Sequence, residues 1–477
     1  MTTPSPGRSP GTAGTDSSDS SQSAGRSGRT AGPDRVAGSN RVAGPDSPDS
    51  SGRPDGPTTR AAEFYVTLHR DPELSGQEER TAARLAARLA AAGYRVETGI
   101  GGHGVAGVLR NGPGPVLMLR AELDALPVEE RTGLPYASTA RARTAAGEDV
   151  PVMHACGHDA HLACLMGAAD TLAGARAGWR GTLLVVGQPA EETLRGARAM
   201  LADGLYRRFE PPSMVLAQHT VPLPGGMVAH GGGPVTAGGV TLEVVVHGRG
   251  GHAAAPHLAV DPLLAAASIV LRLQAVVSQE CSPAEQVVLT VGSLRAGGPA
   301  NLVPDSATLG VTVRAFSAAA LERVVAAVRR IVRAEAEASR CPVAPTVEVL
   351  AESGVNLPDP GLTATVRAAH LAAFGAQRVA DWPPSMATED FPLFGPAGAG
   401  LHGVTDVQTA YWMLGTVGPG QWAAAPGATA AEKLAALPPN HSPAFRPHPG
   451  LTLRTGIAAL VTAVGAVLPP PEQVAGG

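Results

Sequence analysis

Apolar runs that alternate with amphipathic helical segments set the pattern of the chain from residue 59 onward. The strand-like runs in GPVLMLRAELDALP and GTLLVVG are bounded by Gly and Pro, as buried strands often are. Helical spacing predicts a helix over residues 77–92, with Ser75 and Glu78 as its capping box. This alternation predicts an α/β fold with a largely parallel sheet that is covered by helices on both faces.

A second pattern begins near Val240. The alternating strand VTLEVVVHG and an amphipathic helix are followed by two strands, another helix and a last strand, which is the β-α-β-β-α-β order of a split-βαβ domain. We therefore predict an inserted ferredoxin-like α+β domain over residues 239–352, between two parts of one α/β domain at 59–238 and 353–477. Residues 1–58, rich in Ser, Gly, Pro, Asp and Arg, are predicted to be a disordered low-complexity tail.

The composition narrows the choice of partners and compartment. A net charge of −4 over 477 residues gives no indication of binding to nucleic acid or to an anionic membrane. The four cysteines are scattered and form no CxxC pair, which favours a reducing compartment. The first residues, MTTPSPGRSP, lack the apolar core of a signal peptide, and the late apolar stretch 456–468 is too short to span a bilayer. We therefore expect a cytoplasmic protein.

Three short motifs at the ends of apolar runs carry side chains that bind metals. MHACGHDAHLA contains Cys156 and His158, GQPAEETL contains the pair Glu191 and Glu192, and VLAQHTVP contains His219. In an α/β sheet, residues just past the carboxyl ends of parallel strands converge on one crevice. Sulfur, nitrogen and oxygen ligands together suit Zn²⁺ or a similar first-row ion, and a cation would make adjacent glutamates tolerable.

With these motifs in place, the sequence resembles the aminoacylase/carboxypeptidase family of co-catalytic metallohydrolases. It is most similar to the amidohydrolase branch that includes hippurate hydrolase and indole-acetyl-amino-acid hydrolases. The resemblance rests on eight stretches in family order: RAELDALPVEE, MHACGHDAH, GQPAEE, QHTVP, GRGGHAAAPH, ANLVPDSATLGVTVR, MATEDF and HSPAF. It implies a zinc-exopeptidase-like α/β/α catalytic domain with the inserted domain as a lid and dimerisation element.

The resemblance also implies a reaction and its residues. The reaction is hydrolysis of the amide of an N-acyl amino acid, dipeptide or related small carboxylate by a water that two divalent ions (Zn, Mn, Co or Ni) activate. The implied ligands are Cys156, His158, Glu192, His219 and His441. The other implied roles are Glu191 as general base, Asp124 as a residue that orients a ligand, His252 as oxyanion stabiliser, often from the partner of a homodimer, and Asn301 with Arg314 as carboxylate binders.

Several alternatives stay open at this stage. Cys156 and His158 could form the nucleophilic pair of a metal-independent hydrolase, or the fold could serve a non-catalytic metal-binding or regulatory protein. His154 and His161 are either ligands or residues behind them, and His448 is an alternative to His441.

Other stretches bear on the substrate pocket. Glu389 and Asp390 are either helix-capping residues or neighbours of the site. The sequence departs from the family pattern at Glu122, at Arg446 and in the long stretch before His441, which puts the substrate pocket in question more than the metal centre.

Overall fold

The computed structural model describes residues 56–468 and residue 470. The predicted tail lies outside these residues except for its last three, and Pro57 and Thr58 already belong to the first helix. The helices of the described residues are α1 Pro57–Arg70, α2 Glu79–Ala91, α3 His158–Gly174, α4 Gly196–Ala202, α5 Leu205–Arg208, α6 Pro262–Glu280, α7 Ala318–Ala338, α8 Pro360–Phe374, α9 Ala399–His402, α10 Pro419–Ala424, α11 Ala430–Ala436 and α12 Pro449–Val467.

Strands in the same part of the chain form one large sheet, a four-stranded sheet and two short ribbons. They are β1 Arg95–Ile100, β2 Gly104–Asn111, β3 Val116–Glu122, β4 Arg141–Arg143, β5 Asp149–Pro151, β6 Gly181–Gln188, β7 Met214–Pro224, β8 Val228–Gly231, β9 Gly238–His247, β10 Gly251–His252, β11 Val287–Ala296, β12 Leu302–Val303, β13 Ser306–Ala315, β14 Thr346–Ser353, β15 Val379–Trp382 and β16 Gln408–Val417.

The large sheet has the order β1-β2-β6-β3-β7-β16-β8-β15 and is mixed rather than largely parallel. Its central strands β6, β3, β7 and β16 run parallel, whereas β2 is antiparallel to β6 and β8 is antiparallel to β16. The chain reverses through short turns after β1 and after β7, and a short turn can only join antiparallel directions. Two of these parallel strands carry or precede predicted ligands, since Glu192 follows β6 and His219 lies in β7.

Helices cover both faces of the large sheet, as the sequence predicted. Every residue of β3 and β6 is buried. On one face α1, α3, α8 and α12 enclose one apolar cluster, and on the other face α4, α5 and the turn Phe391–Phe394 enclose a second. The prediction of an α/β fold is therefore confirmed.

The four-stranded sheet has the order β11-β13-β9-β14, and all its pairs are antiparallel. With β9, β11, β13 and β14 as its first to fourth strands, this is the arrangement of a split-βαβ unit, and α6 and α7 pack on the sheet. The sheet extends from Gly238 to Ser353. The ferredoxin-like insertion is confirmed, while the exact domain boundaries stay a prediction.

The start of α2 corrects the predicted capping box. The helix begins at Glu79, and its N-cap residue Glu78 makes no side-chain capping bond. The carboxylate of Glu73 accepts instead from the N–H groups of Arg80 and Thr81, at 3.2 and 2.7 Å. Oγ of Ser75 instead donates to Asp124 at 2.7 Å, and the carboxylate of Glu78 accepts from the backbone of Gly76 and Ala190. Both polar side chains are used to hold loops of the site rather than the helix end.

Two of the described helices, α6 and α12, are long and apolar enough to cross a membrane by length and composition alone. In this structure α12 packs against α3 and α8, and α6 packs against β11, β13 and α7. Both helices therefore contribute to the packed layers described above.

Candidate metal centre

The predicted ligands lie near the carboxyl ends of the central strands. His158 is the first residue of α3, and Cys156 precedes it by two residues. Glu192 follows β6, and His219 lies inside β7. His441 comes from the distant loop before α12, and its backbone N–H donates to the carbonyl oxygen of Ala155 at 2.8 Å.

Two groups of three side chains bring these five residues together. The ligand atoms of Cys156, His158 and His219 lie within 4.8 Å of one another, and so do those of Cys156, Glu192 and His441. Sγ of Cys156 is 3.4 Å from Nε2 of His219, and Nε2 of His441 is 3.5 Å from Oε2 of Glu192. Because Cys156 belongs to both groups, the five side chains form one continuous cluster of metal-binding atoms.

Buried polar atoms at the same place test whether ions fit. Among the described residues, Nε2 of His158 and Oε1 of Glu192 are buried without a hydrogen-bond partner. Such atoms are destabilising by about 1–3 kcal/mol each unless something satisfies them, and coordination to a cation would do so. The mixture of sulfur, nitrogen and oxygen donors suits first-row divalent ions. The residues present therefore fit a pair of such ions.

Asp124 lies behind two of the ligands. Nδ1 of His158 is 2.9 Å from the carbonyl oxygen of Asp124 and 3.3 Å from its Oδ1, which leaves Nε2 facing the other ligands. Oδ2 of Asp124 accepts from the hydroxyl of Ser75 and, at 3.0 Å, from the backbone N–H of Glu192. This arrangement agrees with the orienting role that the resemblance implies.

Three residues that the sequence patterns did not reveal hold the Cys156 loop. Nδ2 of Asn440 donates to the carbonyl oxygens of Cys156 and Thr220, at 3.1 and 2.9 Å. The hydroxyl of Thr220 also donates to the carbonyl oxygen of Cys156. Gly157 has φ +83°, and a Cβ there would lie 2.4 Å from Oγ1 of Thr220. The only signal for Asn440 was its place beside His441 in PPNHSPAF.

Glu191 is buried beside the ligand groups. Its Oε2 lies 3.9 Å from Nε2 of His158, and its side chain lines the cavity described below. Burial raises the pKa of Glu191 well above the usual value, and the negative charges of Glu389 and Glu192 raise it further. A carboxyl group beside the ligand groups and lining the cavity is placed to exchange a proton with a molecule there.

A buried charge network lies behind Glu191. Nη2 of Arg120 donates to Glu389 at 2.7 Å and to Asp390 at 3.0 Å, and all three side chains are buried. Burial raises the pKa of Asp390 to about 7, although the charge of Arg120 opposes this shift. Glu389 and Asp390 are thus neighbours of the site and do not serve as simple helix caps.

Glu122 and His161 belong to the same network. The carboxylate of Glu122 contacts Arg120 and lies 2.7 Å from Nδ1 of His161. Nε2 of His161 accepts from the backbone N–H of Thr220 at 2.8 Å, so this nitrogen is occupied and His161 lies behind the ligands. His154 is buried, and its ring nitrogens have no partner among the described residues.

The structure distinguishes His441 from His448. His448 caps α12, and its Nδ1 accepts from the N–H of Leu451 at 3.2 Å. His441 has φ +69°, a strained value for a residue with a side chain, and such strain is often found at functional sites. Contacts with Cys156 and Glu192 raise the pKa of His441 to about 10, so binding of an ion would have to release this proton.

A cavity of about 440 Å³ adjoins the ligand groups, and Arg314 lines it. Nη1 of Arg314 donates to the carbonyl oxygen of Met386 at 2.7 Å. His252, in β10, and Asn301, just before β12, are exposed and are not among the residues that line this cavity. The structure therefore brings Arg314 to the site but leaves these two predicted residues outside it.

Arg446 and the long stretch before His441, where the sequence departs from the family pattern, also lie outside the cavity. The long stretch folds into α10 and α11, where Nζ of Lys433 donates to the carbonyl oxygens of Trp422 and Ala425. Nη1 of Arg446 donates to the carbonyl oxygen of Thr132 at 3.4 Å. The stretch is joined to the segment after His441 through Gln421, whose Nε2 donates to the carbonyl oxygen of Arg446 at 3.4 Å.

With the fold and the ligand groups described, comparison with known proteins identifies the family. Residues 118–435 match the model of peptidase family M20/M25/M40. The chain belongs to this family, and the resemblance inferred from its motifs is confirmed.

Relatives of known name agree with this assignment. An IAA-amino acid hydrolase ILR1-like 2 of Arabidopsis thaliana is 32% identical over 360 residues, which cover 72% of this chain and 76% of that protein. A hippurate hydrolase of Campylobacter jejuni is 35% identical over 330 residues, covering 69% and 82%. An N-acetyl-L-cysteine deacetylase of Bacillus subtilis is 34% identical over 332 residues, covering 69% and 75%.

Solved structures show the same fold. A putative aminohydrolase of Staphylococcus aureus has a TM-score of 0.68 and 29% identity, with coverage of 86% of this chain and 95% of that chain. A dinuclear metal binding peptidase of the M20 family from Bacillus subtilis has a TM-score of 0.63 and 26% identity, with coverage of 86% and 98%.

Proposed function

We propose that the protein is a metal-dependent amidohydrolase that cleaves N-acyl amino acids, dipeptides or related small amides with a carboxylate. The observation that carries this proposal is the meeting of two ligand groups, the buried Glu191 and Arg314 around one cavity. Family membership supports it, as do the names of relatives such as the hippurate hydrolase.

Two divalent ions complete the proposed site. They would be held by Cys156, His158, Glu192, His219 and His441, whose ligand atoms form one cluster. When bound, the ions supply Lewis-acid polarisation and lower the pKa of water in the cavity. Zn, Mn, Co and Ni all suit the donor set, and the dinuclear peptidase of the same family supports the number two.

The residues of the chain divide the remaining work. Glu191 takes a proton from the attacking water and gives it to the leaving amine, which its place beside the ligand groups and in the cavity wall allows. Arg314 binds the carboxylate of the substrate with its paired donors and so fixes the scissile amide relative to Glu191. Asp124 keeps His158 and the backbone of Glu192 in place during both steps.

We also propose a homodimer through the face formed by α6 and β11. This face exposes Leu264 and Leu271, at 65% and 75% of their surface, and β11 is an edge strand. Exposed apolar faces and unpaired edges favour association. Approach of a partner, or closure of the inserted domain, would bring His252 to the cavity as oxyanion stabiliser and Asn301 to the substrate carboxylate.

On composition, we further propose a cytoplasmic location without nucleic-acid or membrane partners. The free thiols of all four cysteines in the structure are consistent with a reducing compartment.

A panel of N-acyl amino acids and dipeptides, followed by mass spectrometry, tests the proposed reaction. Protein loaded with Zn²⁺ or Mn²⁺ should release amine, a chelator should stop the release, and Glu191→Gln should abolish it while metal content is unchanged. Activity that resists the chelator would favour the nucleophilic pair of Cys156 and His158 instead, whose ligand atoms lie within 4.8 Å of one another. A metal-loaded protein inactive on the whole panel would contradict the proposal.

A further inference from the structure

We infer that Thr236 and Trp382 form a second recognition site in the cavity, for a neutral hydrogen-bonding group on the amino-acid side chain of the substrate. The inference rests on the proposed function and narrows its substrate class. Preferred substrates would be N-acyl amino acids with a carboxamide side chain rather than an aliphatic side chain of the same size.

Both side chains bring a buried polar atom to the cavity. Thr236 and Trp382 line it, and among the described residues Oγ1 of Thr236 and Nε1 of Trp382 have no hydrogen-bond partner. Only 5% of the surface of Thr236 is exposed. Because buried donors are nearly always paired in native proteins, two such donors at one cavity indicate a site for a polar ligand group.

The backbone holds the two donors on one wall. Thr236 forms a β-bridge with Ser385, and its carbonyl oxygen accepts from the N–H of Asn356 at 3.1 Å. Trp382 ends β15, three residues before Ser385. The N–H of Ser385 donates to Val235 at 3.0 Å, so the segments of both donors are joined by hydrogen bonds. A wall built this way is rigid enough to select a ligand group.

The order of the strands separates this wall from the ligand groups. His219 lies on β7 and Trp382 on β15, with β16 and β8 between them. Beside the ligands, the cavity is lined by the apolar side chains of Val221, Met413 and Pro439. This apolar side fits an acyl group, and the wall with Thr236 and Trp382 remains for the other half of the substrate.

Arg314 links the wall that contains Thr236 and Trp382 to the amino-acid half of the substrate. Arg314 pairs with Gly239 in the four-stranded sheet, and Gly239 follows Thr236 by three residues. We therefore infer that a substrate whose carboxylate is bound by Arg314 places its amino-acid half in the part of the cavity that Thr236 and Trp382 line.

The chemistry of the wall favours a neutral group. The indole N–H can only donate, whereas the hydroxyl of Thr236 can donate or accept, so a carboxamide satisfies both. A second carboxylate would face Glu389, which also lines the cavity. An aliphatic side chain would leave both donors without a partner, so the preference comes from the two hydrogen bonds that only the carboxamide gains.

Steady-state hydrolysis of N-benzoyl-asparagine and N-benzoyl-leucine tests the inference, because the two side chains have nearly the same shape. We expect the metal-loaded enzyme to prefer asparagine at least tenfold in kcat/KM. Thr236→Val and Trp382→Phe should each reduce this preference about tenfold, the effect of one lost hydrogen bond to a buried donor. Thr236→Ser should keep it. Thr241→Val is the matched control, since Thr241 lines the same cavity but is partly exposed.

The ratio of the two kcat/KM values does not depend on the fraction of folded enzyme, so a destabilised variant still gives an answer. Equal kcat/KM values for both substrates in the unmodified enzyme would overturn the inference. So would asparagine-to-leucine ratios in Thr236→Val and Trp382→Phe that both stay within twofold of the ratio in the unmodified enzyme. In these cases hydrolysis is present and the proposed function stands. If neither these substrates nor the wider panel is hydrolysed, the proposed function fails and the inference fails with it.

Discussion

The buried pair His230 and His370 should make the stability of the protein fall below neutral pH. Nε2 of His230 is 3.0 Å from Nδ1 of His370, whose Nε2 is 3.0 Å from the carbonyl oxygen of Ala459. Since a carbonyl only accepts, Nε2 of His370 carries the proton and Nδ1 accepts from His230. Burial lowers the pKa of His230 to about 3, with a further effect of His370, and burial lowers the pKa of His370 to about 4.

The size and sign of the effect follow from these values. A histidine in the unfolded chain has a pKa of about 6.5, so below this pH the unfolded chain takes up protons that the folded protein does not. The stabilisation is complete above pH 6.5 and is lost as the pH falls towards 4 and 3. For each histidine, the free energy of unfolding falls by about 1.4 kcal/mol per pH unit below 6.5. At pH 5 the loss is therefore about 2 kcal/mol for one histidine and about 4 kcal/mol for the pair.

His230→Gln isolates one half of this effect. Glutamine can still donate to Nδ1 of His370 but takes up no proton. Between pH 7.5 and 5, its free energy of unfolding should fall by about 2 kcal/mol less than that of the unmodified protein. Urea unfolding, followed by circular dichroism at both pH values, measures this loss of stability in the variant and in the unmodified protein. Protonation of other groups affects both proteins equally and cancels when the two losses are subtracted. His257→Gln, at an exposed histidine, is the control. Equal losses in His230→Gln and the unmodified protein would refute the reasoning.

Three further predictions concern the surroundings of the site. Arg120→Met should destabilise the protein by about 3–5 kcal/mol in urea unfolding, because it leaves buried carboxylates without their counter-charge, and a loss below 1 kcal/mol would contradict this. Asn440→Ala should weaken metal binding about 10–100-fold in competition with a chelating dye, since the carbonyl oxygen of Cys156 loses one of its two donors; unchanged affinity would exclude that role. Gly157→Ala should lower both Tm and metal affinity, because its Cβ would overlap Thr220, whereas Gly147→Ala, also at positive φ but with open space around it, should lower Tm alone.

The sequence predicted best the side chains whose own chemistry suits metal binding. Cys156, His158 and Glu192 occur in short motifs, and their chemistry alone suggests metal binding. Asn440, Thr220 and Arg120 escaped notice because they act through backbone carbonyls and buried carboxylates that lie far away in the chain. Such residues have ordinary types at ordinary positions, and only the folded structure shows what they contact.

The direction and placement of elements were harder to predict than their existence. The alternating pattern predicted the strands, but the reversals at β2 and β8 depend on turn lengths that make two edges antiparallel. The β-α-β-β-α-β order predicted the inserted domain. It could not place His252 or Asn301 relative to the cavity, because that distance depends on how the inserted part meets the large sheet or a second copy.

The adjacent glutamates show how the two kinds of residue depend on each other. Consecutive side chains in a regular strand point to opposite faces, so Glu191 and Glu192 need an irregular loop to lie at one cavity. Ala190 before them has φ +49°, an uncommon value for a residue with a side chain. Its N–H donates to Glu78 at 2.8 Å, and that of Glu192 donates to Asp124 at 3.0 Å. The buried carboxylates of Glu78 and Asp124 thus hold the backbone on both sides of Glu191. In this conformation Glu192 lies with Cys156 and His441, while Glu191 lies beside the carboxylates that Arg120 contacts.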